Sequence, residues 1–183
     1  MVRIAALIAA FSLAASVADA ANWSEVWVPD PGFAVEFPEA PTFATRPVPW
    51  NNEGRQQYWV VERGGRSFAV SVVEMPPSTT PPLPTIDYYG RVVERFAAGS
   101  HAMLREDYLA TVAGLPGFEA ILDDWSDDLH HLVDLVQVGN RLFMIGSSGP
   151  KGHESGVDAI RFRDSFRLTG PVAAPDAGGP SVP

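Results

Sequence analysis

Hydrophobic and polar side chains alternate with a period of two along much of this chain. Phe33, Val35 and Phe37 are separated by Ala34 and Glu36, and Pro38 closes the run. Such alternation puts one set of side chains on each face of a strand. Tyr58 to Arg63 and Arg66 to Glu74 are two further β-rich runs, separated by Gly64-Gly65. Two glycines at that point predict a type I′ hairpin, which needs positive φ at both central positions. Pro76 to Pro84 holds five prolines and reads as an extended connector. The period then changes. Ile86, Tyr89, Val93, Phe96 and Ala97 recur mostly three or four apart, which predicts a helix capped by Thr85, with Gly99 at its left-handed end.

The second half reads as a meander. Strands are predicted at Met103 to Val112, Phe118 to Trp125, Leu129 to Val138 and Arg141 to Gly146. Gly114-Leu115-Pro116-Gly117 and Gly139-Asn140 supply turns, and Gly149 to Gly152 a loop. A short helix from about Glu154 to about Asp164 comes next, and Phe166 to Leu168 continues extended. Trp50 to Gly54 reads as a loop. The order is three strands, a helix, four strands and a helix. Short turns imply antiparallel pairing, so the predicted class is α+β: a mainly antiparallel sheet of about seven strands flanked by two helices.

Both ends of the chain stand apart. Arg3, an apolar run from Ile4 to Val17 and the small residues of Ala18-Asp19-Ala20 make a secretory signal peptide over 1–20, with cleavage after Ala20. Residues 21–169 then form a single domain, and the Gly- and Pro-rich 170–183 a disordered tail. This predicts a periplasmic or secreted protein with no stable membrane anchor after cleavage.

Composition narrows the chemistry. The chain has no cysteine, which removes disulfides, thiolate metal sites and thiol nucleophiles. Thirteen Lys and Arg against 22 Asp and Glu give a net charge of −9, which repels phosphate backbones and disfavours nucleic acid. No G-x-S-x-G elbow is complete, because Pro150 stands where Gly146-Ser147-Ser148-Gly149 would need its last glycine. No phosphate loop and no H-E-x-x-H occur either, so no cofactor is implied.

Three groups of residues together resemble a known family. They are Gly32 to Pro38 followed by Ala40-Pro41, Gly114 to Glu119, and Gly139 to Met144 with the later Phe162 to Leu168. Their order and spacing resemble small exported bacterial domains of the PsbP/Mog1-like kind over about Gly32 to Leu168. The resemblance implies an α/β/α sandwich. The family includes a photosystem accessory protein and a Ran-binding protein, and no residue here matches a catalytic motif. The expected protein is an exported, non-catalytic accessory or interaction module, with an envelope protein as its partner.

Candidate sites lie outside that resemblance. Four aspartates and two histidines fall between Asp123 and His131. A hairpin tip at Ser126 to Asp128 explains them as a solvated turn. The alternative is a calcium-type cation held by Asp123, Asp127 and Asp128 with backbone carbonyls. His130 and His131, adjacent on a strand, point to opposite faces and cannot share one ion. A small hydrolase remains a third reading, using a carboxylate pair such as Glu62/Glu74 or Asp123/Asp134. Of five tryptophans, Trp50 and Trp125 are the candidates for anchoring a protein partner.

Overall fold

The computed structural model describes residues 22–48, 51–76, 80–81 and 84–170. The signal-peptide reading, Trp50 and the tail from 171 lie outside those residues. The strands are β1 (Ser24–Val28), β2 (Phe33–Phe37), β3 (Thr42–Val48), β4 (Asn51–Arg63) and β5 (Arg66–Glu74). Helix α1 (Ile86–Ser100) leads to β6 (Met103–Val112), β7 (Leu115–Asp124), β8 (Leu129–Val138) and β9 (Arg141–Pro150). A 3-10 turn at His153–Ser155, α2 (Val157–Ser165) and β10 (Arg167–Leu168) complete the order.

Turn chemistry sets the strand pairing. Gly64 and Gly65 hold φ of 58° and 73°, the positive values a type I′ turn requires, and align Arg63 with Arg66. Ala113 and Gly114 do the same at 50° and 82°, so β7 already begins at Leu115, inside the predicted turn. Thr85 caps α1 as expected, its Oγ1 accepting from the Tyr88 amide at 3.2 Å. The left-handed residue that ends α1 is His101 at φ 56°, and not Gly99.

Seven strands form one sheet in the order β3-β4-β5-β9-β8-β7-β6, every neighbour antiparallel. The chain lays down β3 to β5, crosses by α1 to the far edge, and returns through β6 to β9 until β9 meets β5. β2 was expected with the other strands but pairs in a second, three-stranded sheet, β1-β2-β10. The N-terminal half holds five strands rather than three, and β4 runs back to Asn51 through the predicted loop. β9 likewise extends to Pro150, through part of the loop predicted there.

Each face of the large sheet has its own core. On one face Tyr89, Val92, Val93 and Ala97 of α1 pack with Phe118, Ala120, Leu122, Val133 and Leu135. On the other, the small sheet and α2 bring Phe33, Val35, Phe37, Phe162 and Phe166 onto Trp59, Phe68, Val70, Val136 and Phe143. Successive strand residues point to alternate cores, and β8 is buried on both faces. Among the described residues no helix is long and apolar enough to cross a membrane.

Candidate functional site

The β7–β8 turn is built by Asp124. Its Oδ1 accepts from the Ser126 amide at 2.8 Å, the Ser126 hydroxyl at 2.6 Å and the Asp127 amide at 3.3 Å. The Ser126 hydroxyl is the main reason this carboxyl is held below its ordinary range. Asp128 turns the chain at φ 54°, and Asp127 and Asp128 point to solvent. Trp125 is 75% exposed at the tip.

Asp123 turns away from that tip. Arg105 on β6 donates to Asp123 Oδ1 at 3.0 Å and to Glu154 Oε1 at 2.6 Å. His130 Nδ1 lies 2.9 Å from Glu154 Oε2 and 3.2 Å from the Gly152 amide nitrogen. Burial raises the Glu154 carboxyl, but the hydrogen bonds from Arg105, its own backbone amide and His130 override it and bring it to about 2. A guanidinium therefore occupies the centre of this acidic group. Among the described residues no set of three or more His, Asp or Glu side chains is arranged to hold a metal ion.

As expected, His131 faces the opposite side of the sheet from His130. Its ring meets the edge of Phe96 with centroids 5.9 Å apart, and its Nε2 has no hydrogen-bond partner. Burial pushes its pKa down, so the ring is neutral at pH 7.

The carboxylate pairs named from the sequence are not brought together. Glu62 lies opposite Ser67 and Glu74 opposite Arg55, at different ends of one hairpin. Asp123 pairs with His130, four residues along from the position opposite Asp134. The pair that does form is Glu119 and Asp134, directly opposite each other on β7 and β8. Tyr108 donates to Glu119 Oε1, and Arg163 of α2 donates to Glu119 Oε2 at 3.3 Å. Burial, then the Glu119 charge, raises Asp134 to about 7. Hairpin register could have revealed this pair, because a four-residue turn at 125–128 sets position 119 opposite 134.

A cleft of about 800 Å³ opens on the α1 face of the sheet. α1 lies over β6 and β7, so its flank and the strands beyond it form a wall and a floor. The floor falls into three rows across β4, β5, β9 and β8. The middle row is Val60, Ala69, Gly146 and Val133. One flanking row is Glu62, Ser67, Ser148 and His131, and the other is Tyr58, Ser71 and Met144. Beside the last, Arg46 Nε donates to Gln56 Oε1 at 2.8 Å, and Gln56 Nε2 donates to Ser71 Oγ at 2.7 Å. The Arg46 guanidinium sits 5.1 Å above the Tyr58 ring.

Comparison with protein-family models finds no match, and neither does comparison with curated proteins. Among solved structures, the chain is similar to the solution structure of cyanobacterial PsbP (CyanoP) from Synechocystis sp. PCC 6803. The likeness covers 84% of this chain and 95% of that one, with a TM-score of 0.54 and 15% identity. The fold is PsbP-like. At this identity the likeness concerns the backbone arrangement and assigns no residue a role.

Within the PsbP-like fold, sequence reasoning placed the acidic turn between β7 and β8 and the divergence of His130 from His131. It missed the arginines. Arg105 and Arg163 each come from an element distant in sequence and close an acidic group that looked open along the chain.

Proposed function

We propose that this chain is an exported, non-catalytic accessory module that engages a protein of the cell envelope through the Trp125 tip. The observation that carries the reading is that Trp125 is 75% exposed on a turn pinned by three hydrogen bonds to Asp124. A large aromatic displayed to water on an ordered turn has much apolar surface to bury on binding, and such residues dominate interface energetics. Met103 lies opposite Asp123 at the same end of the sheet and is 64% exposed, which extends the apolar surface. The non-catalytic part of the reading is supported by the polar groups being closed on one another. Glu154 and Asp123 are taken by Arg105, and Glu119 by Tyr108 and Arg163.

Affinity capture from the native envelope with the wild-type mature chain and with Trp125→Ala tests this. The reading expects one envelope protein retained by the wild type and reduced tenfold or more with the variant. Equal retention by both forms would remove it.

A further inference from the structure

The geometry points to the cleft beside α1 as a binding site for a flat, largely apolar small molecule carrying polar groups at opposite ends. The site is separate from the Trp125 tip and does not depend on it.

The floor of the cleft carries little bulk. Ala69 and Gly146 face each other across β5 and β9 at its centre, where most sheets carry branched or aromatic side chains. A Cβ built on Gly146 would meet only the Leu132 carbonyl oxygen, at 4.0 Å, so neither close packing nor a left-handed backbone requires glycine there. The absence of side chains makes room. Across four strands about 4.8 Å apart and along about four residues of about 3.3 Å each, the floor measures on the order of 14 by 13 Å. A bare, broad floor thus lies beneath a cleft of about 800 Å³. The volume itself falls within the roughly 300 to 1,000 Å³ of small-molecule pockets.

The walls set the ligand's character. Val60 and Val133 bound the middle row, and Phe96 of α1 and Tyr58 of β4 stand on its two sides. At one end the Arg46, Gln56 and Ser71 chain offers donors already aligned by its own hydrogen bonds. At the other, Ser148 lies opposite His131, which is more than nine-tenths buried and whose Nε2 is unpartnered. A flat apolar body with a polar group at each end matches that layout. An unbranched acyl chain would leave most of the floor's breadth unfilled.

Titration of the mature chain with anilinonaphthalene sulfonate, followed by its fluorescence, tests the site, with naphthol and decanoate as competitors. We expect saturable one-to-one binding, displacement by naphthol at lower concentration than by decanoate, and at least tenfold weaker binding in Ala69→Phe and in Gly146→Leu. Gly146→Leu adds bulk where the backbone leaves space, so it tests the site even if Ala69→Phe fails to fold. Trp125→Ala should bind the dye as the wild type does, which keeps this result apart from the partner experiment. Absence of saturable binding, wild-type affinity in folded Gly146→Leu, or preferential displacement by decanoate would overturn the proposal.

Discussion

Glu119 and Asp134 sit directly opposite each other on β7 and β8, and only Glu119 is served by cationic and hydroxyl partners. Asp134 is 4% exposed and its Oδ1 has no hydrogen-bond partner. Two carboxylates this close and this buried cannot both ionise cheaply, so a proton stays on Asp134 up to about pH 7. The pair lies on the α2 side of the sheet, where Arg163 of α2 reaches Glu119.

Stability should therefore depend on pH. The folded pKa of Asp134 lies above its unfolded value, so the folded state binds the proton more tightly. Its contribution to stability is complete below about pH 4 and is lost as pH rises to about 7. At about 1.4 kcal/mol per unit the loss is on the order of 4 kcal/mol. Urea unfolding at pH 5 and pH 8 should show the wild type weaker at pH 8. Asp134→Asn should flatten that slope and be the more stable of the two at pH 8.

Arg105 is the hub of a second acidic group on the same face of the sheet, four residues along β7 and β8. Arg105→Ala would leave Asp123 and Glu154, their side chains 13% and 12% exposed, without the guanidinium that joins them, and with His130 as their remaining shared neighbour. Arg105 itself is 30% exposed, so solvent moderates the effect, and a loss of about 1 to 3 kcal/mol is expected in urea unfolding at pH 7. In a double-mutant cycle with Glu154→Gln the two losses should fall short of additivity, because both changes break the same contact.

Two glycines separate close packing from open space. A Cβ at Gly117 would lie 2.5 Å from the Leu135 carbonyl oxygen and 2.8 Å from Val112 Cγ2, while one at Gly146 meets nothing nearer than 4.0 Å. Gly117→Ala should therefore lower stability by about 1 to 3 kcal/mol. Gly146→Ala should stay within about 0.5 kcal/mol of the wild type. Thermal melting of the two variants checks the contrast.

Asp124 makes the tip rigid. In Asp124→Ala the Ser126 and Asp127 amides lose their acceptor. Hydrogen exchange should speed up several-fold at those two amides and stay unchanged at Leu122 and Leu132 in the strands. Exchange that rises equally everywhere would instead indicate global loosening.

Turns and alternation made most of this architecture legible. Gly64-Gly65 and Gly139-Asn140 set their hairpins where expected, and Thr85 capped the helix. β3 escaped notice because Arg46 and Pro47 interrupt its pattern; an edge strand tolerates a proline that a central strand would not. β2 has the right pattern but the wrong expected neighbour, since alternation fixes faces and says nothing about which sheet a strand joins. The polar groups were harder. Arg105 reaches Glu154 across 49 positions and Arg163 reaches Glu119 across 44, contacts that no local spacing encodes. The cleft was invisible for a similar reason: it depends on α1 lying over β6 and β7 and leaving β4 and β5 uncovered.

The most direct test of the interaction reading is photocrosslinking in the native cells, with a photoreactive side chain at position 125 and, as a control, at Val157, which is 83% exposed on α2. The account predicts a discrete adduct with one envelope protein from position 125 and none from 157. No adduct from 125, or the same adduct from both positions, would contradict it.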